Sequence, residues 1–150
     1  MRDKQGLEEA TLAAAAAIEA GGYGKGVLHC FSGHPRLLAA GLEAGWYVSF
    51  AGNLTYKSAA DIRAAARRVP LDRVLVETDS PYLSPMPLRG KPNAPANVRL
   101  TATALAEVLG HAPEELERQL DANAERCFGF AAARATFRRT APAAGGGKPA

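Results

Sequence analysis

The stretch "VLVETDSPYL", residues 74–83, runs branched aliphatics into two carboxylates, Glu77 and Asp79. Side chains alternate along a strand with a period of two, so acids at i and i+2 share one side. The aliphatic run is apolar on both faces, as a parallel sheet covered by helices requires, and such sheets carry their chemistry where strands end. A second candidate is His29 in "GVLHCFSG", residues 26–33, set in an otherwise apolar run and near its end. Imidazole and carboxylate from neighbouring strand ends are the ligand types that hold a divalent ion which activates water, and catalytic sites generally use at least three. Only two can be named here.

Each residue also has a plainer reading. His29 could be a core histidine with its hydrogen bonds satisfied; Glu77 could pair with a buried base; Asp79 could cap the turn that Ser80-Pro81 begins. Arg89 and Lys91 follow on the loop after the carboxylates, where they could grip a phosphate or simply stand in solvent. Cys30 alternates to the face opposite His29, which argues for packing rather than joint ligation. His34 and His111 flank a helix start and an inter-helix turn.

The elements that must position these groups alternate. Leu7, Thr11, Ala14 and Ile18 recur at helical spacing until "GGYG" at 21–24 stops the helix. A short strand is expected over 25–31, a helix from about Pro35 to Leu42, a strand over 46–50, and a helix over 58–68 with Ser58 as N-cap and Pro70 closing it. The strand over 73–79 follows, then a loop with four prolines, "SPMPLRGKPNAPAN". Two helices, 97–109 and about 113–127, finish the pattern, the second with Pro113 at its first position. Strands and helices in this order indicate βαβ units and a parallel sheet, although three strands cannot close a barrel and leave two edges needing cover. A small receiver-like module fits less well, because it should close a five-stranded sheet around an acidic pocket.

Composition excludes several classes. The 150 residues, about half of them apolar, suffice for one core. Cys30 and Cys127 are too few for a disulfide framework and lack C-x-x-C spacing, so a reduced, cytoplasmic setting is expected. No signal peptide is read in "MRDKQGLEE", and the alanine run 13–17 falls short of the ~20 apolar residues a membrane span needs. The net charge of +3 is local: Arg134, Arg138, Arg139 and Lys148 bring +4 with no acid after Phe128, so residues 1–127 sum to −1. Residues 131–150 therefore read as a basic, Gly/Pro/Ala-rich disordered tail behind a folded unit at 1–130, and overall charge says little about a nucleic-acid partner.

Five blocks carry a resemblance that periodicity does not supply. "GVLHCFSG", "YVSFAGNLTYKSA", "VLVETDSPYLSP", "RGKPNAPANV" and "NAERCFGF" stand in the order and spacing of the TatD-type metal-dependent deoxyribonucleases, from about Arg2 to Phe130. The resemblance implies the C-terminal portion of an amidohydrolase-type TIM (β/α)8 barrel, with a divalent metal site (Mg, Mn or Zn) at the C-terminal strand ends. His29 would then be a metal-binding histidine and Asp79 a metal ligand that orients or deprotonates the attacking water. Glu77 would support the site, and Arg89 and Lys91 would face substrate. The implied reaction is hydrolysis of DNA phosphodiester bonds, exonuclease-type, on single strands or frayed ends, by a monomer.

This chain departs from the family pattern by lacking the HxH pair, bridging glutamate and further histidine that precede these blocks. Met1 thus resembles an internal methionine, and about five of eight barrel strands are missing. Ala94 and Asn97 stand where the family commonly has an acid and an aromatic. Two hypotheses follow: the C-terminal part of a working nuclease, inactive as this chain alone, or a non-catalytic remnant that pairs its sheet edges with another chain.

Overall fold

A computed structural model of the chain describes residues 4–21 and 24–129. The tail read at 131–150 lies outside the described residues. Helix α1 (Lys4–Gly21) precedes strand β1 (Val27–Leu28), α2 (Pro35–Glu43), β2 (Tyr47–Phe50), α3 (Ala60–Ala66), β3 (Val74–Val76), α4 (Val98–Leu109) and α5 (Pro113–Phe128). The three strands form one parallel sheet in the order β1-β2-β3, so the alternating pattern in the sequence does become βαβ units. Among the described residues the outer edges of β1 and β3 carry no strand partner. No described helix is long and apolar enough to cross a membrane.

Register explains how the sheet is buried. Leu28 pairs with Val48 and Val48 with Val74, while Phe50 pairs with Val76, so these side chains share the face that packs on the helices. Val48, Phe50 and Val74 are fully buried there beside Leu38, Leu105 and Leu116. Phe31 meets Phe50 edge-on, with ring centroids 6.2 Å apart. The period of two sends Ser49 and Leu75, and then Glu77, to the other face.

The helix ends follow local chemistry. His34 caps α2 by accepting the Leu37 N–H on Nδ1, with Pro35 in the first turn. Gly110 and Gly129 take the left-handed conformation that ends α4 and α5. Ser58 is not the cap of α3. That helix starts after Ala59 with no side-chain cap, because residues 52–55 form a 3₁₀ turn and the Ala59 N–H is held by the Tyr56 carbonyl. Arg63 instead reaches back from α3 to the carbonyls of Leu54 and Tyr56.

The strands are shorter than the expected 25–31 and 73–79. β3 stops at Val76, but the ladder runs one bond further, from the Glu77 N–H to the Phe50 carbonyl. Its start is tied to α5 by Asn123, which is fully buried and donates from Nδ2 to the carbonyls of Leu71 and Val74 at 2.8 Å each. Gln119 and Arg126 in turn donate to its Oδ1. Removing this side chain leaves two carbonyls without their donor in a closed core. Asn123→Ala is expected to lower unfolding free energy by about 2–3 kcal/mol in a denaturant titration; a loss within about 0.5 kcal/mol, the range of an ordinary surface change, would contradict that assignment.

Candidate metal centre

His29 lies just beyond β1 rather than inside it, and a local register shift puts it there. Leu28 pairs with Val48, yet the Phe31 N–H reaches the Ser49 carbonyl, which leaves one residue too many on the first strand. Cys30 absorbs the excess with φ of 48°, in the left-handed region. The bulge ejects the imidazole, whose side chain is 66 % exposed. Burial, and then the charges of Glu77 and Asp79, push the Cys30 thiol up to about 11, so it stays protonated near neutral pH.

Glu77 remains in the ladder beside β2, with its carboxylate 14 % exposed. Asp79 does not share a strand face with it, since β3 has already ended; it sits in a turn with φ of 55°, closed by the Tyr82 N–H on the Asp79 carbonyl. The two acids nevertheless converge. One ligand atom each from His29, Glu77 and Asp79 all lie within 4.8 Å of one another, and His29 Nε2 stands 3.1 Å from Glu77 Oε1. The expected pair of candidate ligands is thus a trio, with Glu77 in contact range.

The proline-rich loop after Asp79 is anchored on the turn that follows β2. A Cβ on Gly52 would come within 2.1 Å of the Leu83 carbonyl, so only glycine admits the loop at this distance. The Tyr56 hydroxyl donates to the Ser84 carbonyl, and Thr55 Oγ1 accepts the Met86 N–H. Arg89 is engaged differently from the clustered groups: its guanidinium lies 4.3 Å from the Tyr56 ring centroid. Lys91 is exposed, and its carbonyl accepts from Ser84.

Three groups escaped reading from the sequence. Tyr82 is 70 % exposed on the Asp79 turn; Asn53 Oδ1 is buried without a hydrogen bond; Asn93 is buried within the loop. Nothing in residue type singles them out from ordinary loop residues.

The TatD related DNase family model matches residues 4–129, the length of the described structure. The chain belongs to this family. It is 50 % identical over 109 residues to the metal-dependent hydrolase YcfH of Escherichia coli K12, a match covering 73 % of this chain and 41 % of YcfH. It is 36 % identical over 107 residues to the 3'-5' ssDNA/RNA exonuclease TatD of Erwinia billingiae, covering 68 % and 41 % of the two. The crystal structure of the TatD homologue YjjV from E. coli superposes with a TM-score of 0.73 at 25 % identity, covering 79 % of this chain and 46 % of YjjV. The three parallel strands and their helices therefore match part of a TatD barrel, as the motifs implied. The chain spans about two fifths of the length of the curated relatives it matches.

The donor set fits the metal that a TatD-type hydrolase requires. Glu77 Oε1 is buried and faces His29 Nε2 at 3.1 Å without accepting a hydrogen bond of good geometry, although buried oxygens are seldom left so in a folded protein. Ligand bonds of ~2.1 Å put donor atoms about 3–4 Å apart around one ion, and the three donor atoms here lie within 4.8 Å of one another. A cation between this oxygen and His29 Nε2 would bind both. Glu77→Gln is expected to weaken Mn²⁺ binding at least about tenfold in a calorimetric titration, while metal-free stability is unchanged or rises by about 1 kcal/mol. Unaltered Mn²⁺ affinity would contradict the role given to this oxygen.

Proposed function

We propose that this chain forms part of a metal-dependent phosphodiesterase acting on the ends of DNA strands. The observation that carries the proposal is the buried Glu77 oxygen facing His29 inside a histidine–carboxylate trio at the ends of β1 and β3, on either side of β2. His29, Glu77 and Asp79 would hold a divalent ion, Mg, Mn or Zn. Such an ion, when bound, lowers the pKa of water and neutralises charge that builds on phosphoryl oxygens.

The remaining work falls to the chain's own groups. Asp79 orients the attacking water and accepts its proton. Arg89, steadied on Tyr56, and Lys91 draw the phosphodiester backbone toward the loop. Tyr82 offers an exposed ring on the Asp79 turn, and base–aromatic stacking is tolerant of sequence, as an end-directed nuclease needs. The exonuclease relative from Erwinia billingiae supports a nucleic-acid substrate over other esters.

For the 150-residue chain by itself we infer no turnover. The His29 side chain is largely in solvent, and the outer edge of β1 beside it is unpaired among the described residues. A ligand on an unsupported edge holds metal weakly. The open edges also favour the second reading, in which the isolated chain associates with another.

Two assays separate these statements. In the longest polypeptide that the gene encodes, metal-dependent release of nucleotides from single-stranded DNA is expected, and Asp79→Ala should reduce it at least about 100-fold; undiminished release would overturn the catalytic assignment. The purified 150-residue chain should release none under the same conditions, and Asp79-dependent release would overturn the inference of inactivity.

A further inference from the structure

Asp79 is held in a conformation that an L-residue rarely adopts unless its surroundings impose it, with φ of 55°. Beyond the Tyr82 N–H that closes the turn, one side chain ties it on both sides. Asn93 is 7 % exposed, and its Nδ2 donates to two carbonyls, that of Thr78 at 2.7 Å and that of Tyr82 at 2.8 Å. These carbonyls bracket the Asp79 turn, one on the residue just before it and one on the residue that closes it.

The orientation of the Asn93 amide is itself determined. Its Oδ1 accepts from the Ala94 N–H and from Asn97 Nδ2, each at 2.9 Å, and its backbone N–H donates to the Pro81 carbonyl at 2.9 Å. Reversing the amide would set an oxygen against two carbonyls and a nitrogen against two donors. One planar group thereby ties the far end of the proline-rich loop to both ends of the Asp79 turn, using all of its donors and acceptors. Asn97 completes the arrangement.

We propose that Asn93 is a positioning residue for the metal centre: it fixes the Asp79 turn so that the carboxylate stays aimed at His29 and Glu77 before any ligand arrives. This rests on the reading of His29, Glu77 and Asp79 as metal ligands. Asn93 touches none of the reacting atoms and acts through the backbone of Thr78 and Tyr82. Preorganisation of this kind shows as affinity, because an unaimed carboxylate must be ordered at the moment of binding.

The test is Mn²⁺ titration by calorimetry on the longest polypeptide that the gene encodes, with thermal unfolding of the metal-free protein recorded in parallel. Asn93→Ala is expected to weaken Mn²⁺ binding at least about tenfold at a temperature where the variant remains fully folded. Asn97→Ala, which frees only one of the bonds to Oδ1, should weaken it less. Asp79→Asn serves as the reference. If Asp79→Asn binds Mn²⁺ as the unaltered protein does, the ligand reading itself fails. If Asp79→Asn loses binding while folded Asn93→Ala keeps the unaltered affinity, Asn93 is merely structural and the proposal alone is overturned. Should Asn93→Ala not fold, Asn97→Ala decides, and unaltered affinity there overturns the proposal.

Discussion

The end of β2 is the template on which the site is assembled. Its Ser49 carbonyl receives the Phe31 N–H from one neighbour, and its Phe50 carbonyl receives the Glu77 N–H from the other. These bonds keep three chain segments side by side after regular pairing has stopped, which is where a parallel sheet can place side chains from different strands together. The same stretch of chain then turns at Gly52 and supports the loop that returns past Asp79. Shifting β2 by one residue would invert its buried face and separate the three ligand candidates at once.

Stability and function pull against each other at this point. A carboxylate oxygen left without a hydrogen bond, a left-handed aspartate and a bulge at Cys30 each cost free energy in the metal-free chain. The costs are concentrated at the ends of β1 and β3 and are offset by a core in which Phe50, Val48, Val74 and Leu105 are entirely buried. A site that is strained when empty has the most to gain from a ligand that bridges its charges.

Much of this was legible from residues alone, for identifiable reasons. The order of strands and helices followed from periodicity, and Glu77 and Asp79 stood out because carboxylates seldom end a run as apolar as "VLV". The strand-face argument for pairing them was incomplete. β3 ends at Val76, and Asp79 reaches the cluster through a left-handed turn that a two-residue period cannot anticipate. The apolar neighbours of His29 suggest a place inside the strand; the extra residue that ejects it shows in the Phe31 hydrogen bond and in the left-handed Cys30. Residue type suggests Ser58 as a cap, whereas the turn that holds the Ala59 N–H on the Tyr56 carbonyl starts the helix one residue later. Asn93 was beyond reach for another reason: an asparagine among prolines reads as loop, and its role depends on carbonyls eleven and fifteen residues earlier.

The central claim is that His29, Glu77 and Asp79 share one metal ion. It is tested most directly by anomalous diffraction at the manganese edge, from crystals grown with Mn²⁺. The account predicts an anomalous peak with His29 Nε2 and an oxygen from each carboxylate within about 2.0–2.3 Å. A peak placed on other residues, with this trio free of metal at full manganese occupancy elsewhere, would contradict it.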